Sequence, residues 1–270
     1  LCAQGECSVT ELTRVLGLSQ PRTSQHLKQL CDAGLLHRFR DGKRVFYSLP
    51  ARQSRNVRQL LALLPLRDEQ FRRDAVRLRQ LRGQLVSADE TLQQDDDVDR
   101  AVHRAVLDLT VAAPVGDLLD IGCGRGSMLK LLAGRAHRVV GVDIDSGTRQ
   151  AARAELLLAG LPNCSLRQGD MYQLPFDDAE FDTIILDDVL GKALRPVDAL
   201  TEASRLLRQG GRLVILMALR DVTGDETQRR IAGWSASAGL RVAPARVVPK
   251  KDPRWLLSVA TLQESREVAA

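Results

Sequence analysis

The chain has 270 residues, 44% hydrophobic and 27% charged, with a net charge of +5, which is enough for two domains with real cores. No apolar run approaches the ~18 residues of a membrane span, no signal peptide is visible in the sequence, which starts at Leu1 rather than Met, and five scattered cysteines (Cys2, Cys7, Cys31, Cys123, Cys164) argue for reduced thiols in the cytoplasm rather than a disulfide framework. Residues 1–85 hold 16 Lys and Arg against 7 Asp and Glu while the rest hold 23 against 27, so only the first part is expected to meet a polyanion.

Val9 to Leu16 reads as a short amphipathic helix with Val9, Leu12, Val15 and Leu16 on one side. Gly17-Leu18-Ser19 is a turn, with Ser19 as N-cap of a second helix. That helix tolerates Pro21 in its first turn and runs to Cys31 or Asp32, before Gly34. Its apolar line is Thr23, Leu27 and Leu30, while Arg22, Gln25, His26 and Gln29 share another face. Leu36 to Arg40 and Lys43 to Leu49 read as strands around the hairpin signal Asp41-Gly42. Arg38, Arg40, Lys43 and Arg44 make that hairpin a basic wing. Two helices joined by a short turn and followed by a basic wing read as a winged helix-turn-helix for double-stranded DNA.

These residues resemble the ArsR/SmtB family of winged-helix repressors, through Ser19-Gln20-Pro21, Ser24-Gln25-His26-Leu27, Ala33-Gly34-Leu35-Leu36 and Gly42-Lys43. The resemblance covers about residues 1–50 and implies a homodimer on a palindromic operator. It also implies that Ser19, Gln20, Arg22, Ser24 and Gln25 approach the major groove, with Arg40, Lys43 and Arg44 as candidate contacts from the wing. The chain departs from the family at Ser8 and Thr10, where some members carry a metal-sensing Cys-x-Cys. Cys7 alone reads as a partly buried thiol, the four histidines form no ligand cluster, and no metal site is expected.

Arg52 to Leu66 and Asp68 to Gly83 both show helical periodicity. The first carries the stripe Val57, Leu60, Leu61 and Leu64 and breaks at Pro65. The winged-helix resemblance makes it a dimerisation helix, and spacing alone equally allows packing on its own domain. In the second, Phe71, Val76, Leu78, Leu81 and Leu85 are the expected apolar contacts. Ser87 to Asp99, with Asp95-Asp96-Asp97, is the linker candidate, and Val98 to Leu109 is a helix leading into a second domain. The expected division is 1–66 for DNA binding and dimerisation, 67–99 for connector and acidic linker, and 100–270 for the second domain.

The second domain is organised around Asp117 to Ser127, DLLDIGCGRGS. Leu118, Leu119 and Ile121 suit a buried parallel strand. Gly122, Gly124 and Gly126 let the backbone turn tightly and approach a ligand, and Ser127 to Ala133 can open a helix whose amides face it. Asp143 ends a second apolar run, Arg138 to Val142, where an acid in a βαβ unit reads a ribose hydroxyl pair. The GxGxG spacing, with Asp120 before it, differs from the GxGxxG that seats a dinucleotide pyrophosphate.

This segment resembles motif I of the class I S-adenosylmethionine-dependent methyltransferases, and the resemblance continues for about 100 residues. It makes Asp143 the ribose acid and Gly169-Asp170-Met171 the adenine-side motif. Leu174-Pro175-Phe176 and Phe181-Asp182, leading into Thr183 to Leu186, match the fourth strand. Arg205-Leu206-Leu207 with Gly210-Gly211, then Arg212 to Met217, match the following helix and fifth strand. With helices at Ser146 to Ala159, Val197 to Arg208 and Thr227 to Ala238, and strands at Ser165 to Gln168 and Leu256 to Ala260, the order argues for a doubly wound α/β Rossmann-like fold with a parallel sheet. The candidate set for S-adenosylmethionine or S-adenosylhomocysteine is Asp120, Gly122, Gly124, Gly126, Asp143, Ile144, Asp170, Met171 and Asp187.

After the fourth strand, relatives usually place His, Gln or aromatic groups against an acceptor. Here the chain reads Leu186-Asp187-Asp188-Val189-Leu190-Gly191-Lys192, and residues 86–110 hold no aromatic residue to close the pocket. Asp187 and Asp188 stand open as bases, cation ligands, a solvated loop or a helix cap, so no catalytic residue is assigned. The expectation is a one-component repressor, similar to regulators that respond to S-adenosylhomocysteine and control methionine-cycle genes. The alternative is an active methyltransferase of a small molecule with a regulatory winged helix.

Overall fold

The computed structural model describes residues 1–50, 55–64, 68–86, 96–220 and 222–263. The start of the first connector helix, the Pro65 break and the linker from Ser87 to Asp95 lie outside the described residues. The chain divides into two compact units. One joins Leu1–Thr91 with Gly124–Gly126 and Asp145–Gln168; the other joins Leu92–Cys123, Ser127–Ile144 and Gly169–Ala270.

In the first unit β1 (Cys7–Ser8) leads into α1 (Val9–Leu16). Ser8 and Glu11 form a reciprocal capping box: Ser8 Oγ accepts from Glu11 N at 3.3 Å, and the Glu11 carboxylate accepts from Ser8 N at 2.7 Å. Gly17 closes the helix at φ +65°, a backbone region open to glycine. α2 (Gln20–Asp32) starts after Ser19, but the Ser19 side chain makes no cap bond. Pro21 removes one of the first-turn amides that such a cap would use. Thr23 and Leu27 are buried as expected, whereas Leu16 and Leu30 stay exposed.

β2 (His37–Asp41) and β3 (Arg44–Ser48) form the expected hairpin, with Phe39 opposite Phe46. β1 adds to β3 through Cys7 opposite Tyr47. Cys7, expected to be partly buried, is wholly buried in a core with Leu12, Val15, Leu27, Tyr47 and Leu78. α3 (Arg55–Ala62) buries Val57 and leaves Leu60, Leu63 and Leu64, at and just past its end, exposed. α4 (Glu69–Val86) buries Leu78 and Arg82, while Phe71 and Val76, expected as contacts, are exposed.

The chain continues through α5 (Asp96–Ala112), β4 (Gly116–Ile121), α6 (Ser127–Leu132) and β5 (Ala136–Asp143). α7 (Ser146–Leu158) and β6 (Cys164–Gln168) cluster with the N-terminal unit. Then come β7 (Phe181–Asp187), α8 (Pro196–Leu206), β8 (Leu207–Ala218), α9 (Gly224–Ser237), β9 (Leu240–Val242), β10 (Arg246–Val248) and β11 (Trp255–Leu262).

In the second unit β4 lies between β5 and β7, parallel to both, and β7 is parallel to β8. Leu118, Leu119, Ile184, Ile185 and Leu186 are completely buried, as strands covered on both faces require. β11 runs antiparallel to β8, and β9 and β10 antiparallel to β11, so the sheet is mixed where a parallel one was expected. The six residues between β10 and β11 are too few for a parallel crossover, which leaves an antiparallel return. The chain leaves β4 for β5 on one side and returns to β7 on the other. Such a reversal of strand order opens a crevice at the strands' carboxyl ends. Among the described residues no helix is long and apolar enough to cross a membrane.

Candidate functional site

The crevice is built from the ends of β4, β5 and β7. Asp120 sits opposite Gly141 of β5 and Ile185 of β7. It is 1% exposed, and its Oδ1 has no hydrogen-bond partner among the described residues. Burial, then the charges of Asp187 and Asp143, push its carboxyl well above the usual range. Gly122, Gly124 and Gly126 have φ of +76°, +52° and +82°, where a side chain is strained. A Cβ on Gly122 would lie 2.5 Å from Val189 Cγ2. The amides of Gly122 and Cys123 donate to the Val142 carbonyl at 2.7 and 2.9 Å, which hooks the turn to the end of β5 beside Asp143.

Gly169 N donates to the Asp143 carbonyl at 3.4 Å. Asp170 Oδ1 accepts from Tyr172 N at 3.1 Å, and its side chain is exposed. Met171 packs partly buried on the core, and Ile144 is 67% exposed. Asp187 closes β7, with its carboxyl raised to about 6 by burial first, then by Asp188 and Asp99, with Lys192 opposing. The carboxyl groups of Asp120, Asp143 and Asp187, near enough for the last two to act on the first, gather oxygens at the strand ends. That suits a nucleoside carrying ribose hydroxyls, an ammonium and a sulfonium, and the unpartnered Asp120 oxygen fits such a donor.

The raised Asp187 carboxyl has a sign for stability. Its contribution is full below the ordinary value of 3.8 and is lost as pH rises through about 6. Asp187→Asn is expected to flatten the fall in stability across that window by up to about 1.4 kcal/mol per pH unit, read from urea midpoints. A slope equal to that of the wild type would contradict the burial-driven shift.

Asp188, for which the sequence left a base, a cation ligand, a solvated loop or a cap open, has the structural role: its carboxylate ties neighbouring elements together. It pairs with Lys192 at 2.8 Å and Arg220 at 2.5 Å, and accepts from Ala218 N at 3.3 Å. Burial would raise its carboxyl, but bonds from Lys192, Ala218 and Arg220 hold it below the usual range. Arg220 lies 32 residues along the chain, and no local pattern pointed to it. Among the described residues no group of His, Cys, Asp or Glu could hold a metal ion.

In the first unit Ser19, Gln20, Arg22 and Gln25 are exposed and Ser24 is half-buried. Arg40, Lys43 and Arg44 are exposed on the hairpin. Arg22, Gln25 and Gln29 share one helix face by their spacing.

Residues 1–38 match the profile of a bacterial regulatory protein of the arsR family, and residues 119–215 that of a methyltransferase domain. The chain thus joins an arsR-type helix-turn-helix, which implies DNA binding, to a Rossmann-like methyltransferase domain, which implies S-adenosylmethionine as cofactor. An uncharacterized 37.1 kDa protein in transposon TN4556 of Streptomyces fradiae is 34% identical over 163 residues, 57% of this chain and 47% of that protein. Nocamycin O-methyltransferase of Saccharothrix syringae is 39% identical over 119 residues, 42% of each chain. The chain thus spans less than half the length of these relatives. A SAM dependent methyltransferase from Aquifex aeolicus matches with a TM-score of 0.54 at 19% identity, covering 66% of this chain and 97% of that one. The [4+2]-cyclase SpnF also matches at 0.54, with 18% identity over 64% and 85%. At such identities these structures establish the fold alone, a fold that carries more than one reaction.

Proposed function

We propose that the protein is a cytoplasmic, homodimeric transcriptional repressor whose methyltransferase-like domain senses S-adenosylhomocysteine or S-adenosylmethionine and controls methionine-cycle genes. Residues 1–66 read a palindromic operator and dimerise, 67–99 connect, and 100–270 bind the nucleoside. Ser19, Gln20, Arg22, Ser24 and Gln25 enter the major groove, and Arg40, Lys43 and Arg44 meet phosphates. The exposed Leu60, Leu63 and Leu64 offer an apolar face for a second copy. Asp143 holds the ribose, Asp170 and Met171 flank the adenine, and Asp120, Ile144, Asp187 and the three glycines complete the pocket.

One contrast carries this reading. The carboxyl groups of Asp120, Asp143 and Asp187 gather at the strand ends, while Asp188 and Lys192 are tied to each other, and Asp188 to Arg220, rather than presented to an acceptor. A ligand shifts DNA affinity only if it binds the DNA-competent and incompetent states differently. Such couplings are typically about 5- to 150-fold. The test is fluorescence anisotropy on a duplex selected by the protein from a random pool, with and without saturating S-adenosylhomocysteine. A shift in that range is expected, and Arg22→Ala should lose about 1–3 kcal/mol of base discrimination.

The second reading, an active methyltransferase with a regulatory winged helix, draws on the 39% identity to an O-methyltransferase. Bound S-adenosylmethionine supplies a methyl group on a good leaving group, and the chain's part is then alignment of the acceptor. Equal operator affinity with and without either nucleoside, together with turnover on a small acceptor, would favour it.

A further inference from the structure

Within the first unit the wing is packed on α7 and β6 through buried charge. Asp41, the last residue of β2, accepts from Arg149 Nε at 3.0 and 3.2 Å and pairs with Arg153 at 2.6 Å. The three side chains are 4%, 1% and 6% exposed. Arg153 also pairs with Glu6 at 2.9 Å, and its guanidinium lies 4.0 Å from the centre of the Phe46 ring. Arg167 of β6 pairs with the same Glu6 at 2.5 Å and lies 3.5 Å from the centre of the Phe39 ring. At the hairpin tip, a Cβ on Gly42 would come within 3.3 Å of Gln168 Oε1.

Alternation along a strand puts Phe39 and Asp41 on one face of β2, with Phe46 opposite Phe39 on β3. These residues meet the arginines of α7 and β6, while Arg40, Lys43 and Arg44 stay exposed. The elements that hold the wing are covalently next to the nucleoside loops. α7 begins three residues after Asp143, with Asp145 as its cap, accepting from Thr148 N at 2.6 Å. β6 ends at Gln168, directly before Gly169-Asp170-Met171.

We propose that Arg149 and Arg153 are positioning residues for the DNA-contacting wing, and that α7 and β6 carry nucleoside occupancy to it as one rigid lever. Buried ion pairs tolerate the loss of one partner poorly, so the wing and α7 move together. A connected set of packed charges with discrete arrangements is the kind of element through which two sites are coupled. The positioning role stands on the geometry; the transmission role rests on the sensing reading.

The test uses the full chain. Asp41→Asn with Arg149→Gln removes both charges of a pair at once, leaving Arg153 with Glu6. Arg149→Lys, which keeps the charge and loses the fork, carries the same readouts if the double variant does not fold. Calorimetry with S-adenosylhomocysteine in the absence of DNA should give an unchanged affinity. Hydrogen exchange of amides 37–48 should speed up by about tenfold or more. The effect of S-adenosylhomocysteine on affinity for the selected duplex should shrink from the wild-type factor to less than about twofold. Unchanged exchange in residues 37–48 would overturn the positioning role. A wild-type ligand response that survives in a folded variant would overturn the lever while leaving the sensing reading in place. If the wild type itself shows no response, the sensing reading and the lever both fall, and faster exchange in the variant would still uphold Arg149 and Arg153 as positioning residues.

Discussion

Replacing Asp143 with alanine should weaken S-adenosylhomocysteine binding by about 10- to 150-fold for each ribose bond lost. A charged acceptor contributes about 1.5–3 kcal/mol per hydrogen bond, and a ribose offers two adjacent hydroxyls. The fold should survive the change. Gly122 and Cys123 are held by the backbone carbonyl of Val142, and Gly169 donates to the backbone carbonyl of Asp143 rather than to its side chain. Calorimetry reads the affinity and a thermal melt reads the fold. An unchanged affinity in a folded variant would remove Asp143, and with it the assigned pocket, from consideration.

The other large effect is expected at Arg82. Its side chain is 2% exposed, donates to the Glu11 carboxylate at 2.6 and 3.1 Å, and reaches the carbonyls of Glu6 and, at 3.3 Å, Arg153. Arg82→Met keeps the stem and removes every one of these bonds. Loss of one partner of a buried pair costs about 3–5 kcal/mol, which urea denaturation at neutral pH should read directly. The pH dependence supplies a second check. Burial pushes the Glu11 carboxyl up, but Arg82 and the Ser8 cap hold it below its ordinary 4.5. In the wild type Glu11 therefore contributes stability above that value and loses it as pH falls through the lower folded value. Without Arg82, burial dominates and the sign reverses, so the deficit of the variant should narrow as the pH falls toward 4. A small deficit that does not vary with pH would show that Glu11 does not depend on Arg82.

What could be read in the sequence was local chemistry. Gly122, Gly124 and Gly126 carry a backbone requirement in their own identity, and Asp41-Gly42 announces its hairpin within two residues. The ends of α1 and α2 were legible for the same reason, through Gly17, Pro21 and Gly34. β1, β9 and β10 were not, because strands of two or three residues show no alternation. The antiparallel edge depended on those strands and went unread with them. The fate of Asp188 depended on Arg220, and the exposure of Phe71 and Val76 on what α4 packs against, neither of which is local.

The arginines of α7 did leave a trace. Arg149 and Arg153 fall on the same stripe as Ala152, Leu156 and Leu157, all buried. Two arginines in an apolar stripe call for buried acids. Those acids, Glu6 and Asp41, lie more than a hundred residues earlier, so periodicity alone could not name them.

Because the unit containing the winged helix is assembled from separated stretches of chain, ribosomal synthesis sets the order in which it can be completed. Glu6, Asp41 and Arg82 emerge well before Arg149, Arg153 and Arg167 have been made. At about 5–20 residues per second, the lag from Arg82 to Arg167 is about 4–17 s. During that interval Asp41 at the wing tip and Glu6 ahead of β1 lack their arginines and Phe46 is uncovered, so the nascent wing cannot reach its finished packing. A truncated translation product that stops before α7 would carry the recognition helix without a settled wing. Completion of the wing is thereby deferred until the methyltransferase-type part of the same polypeptide is well under way.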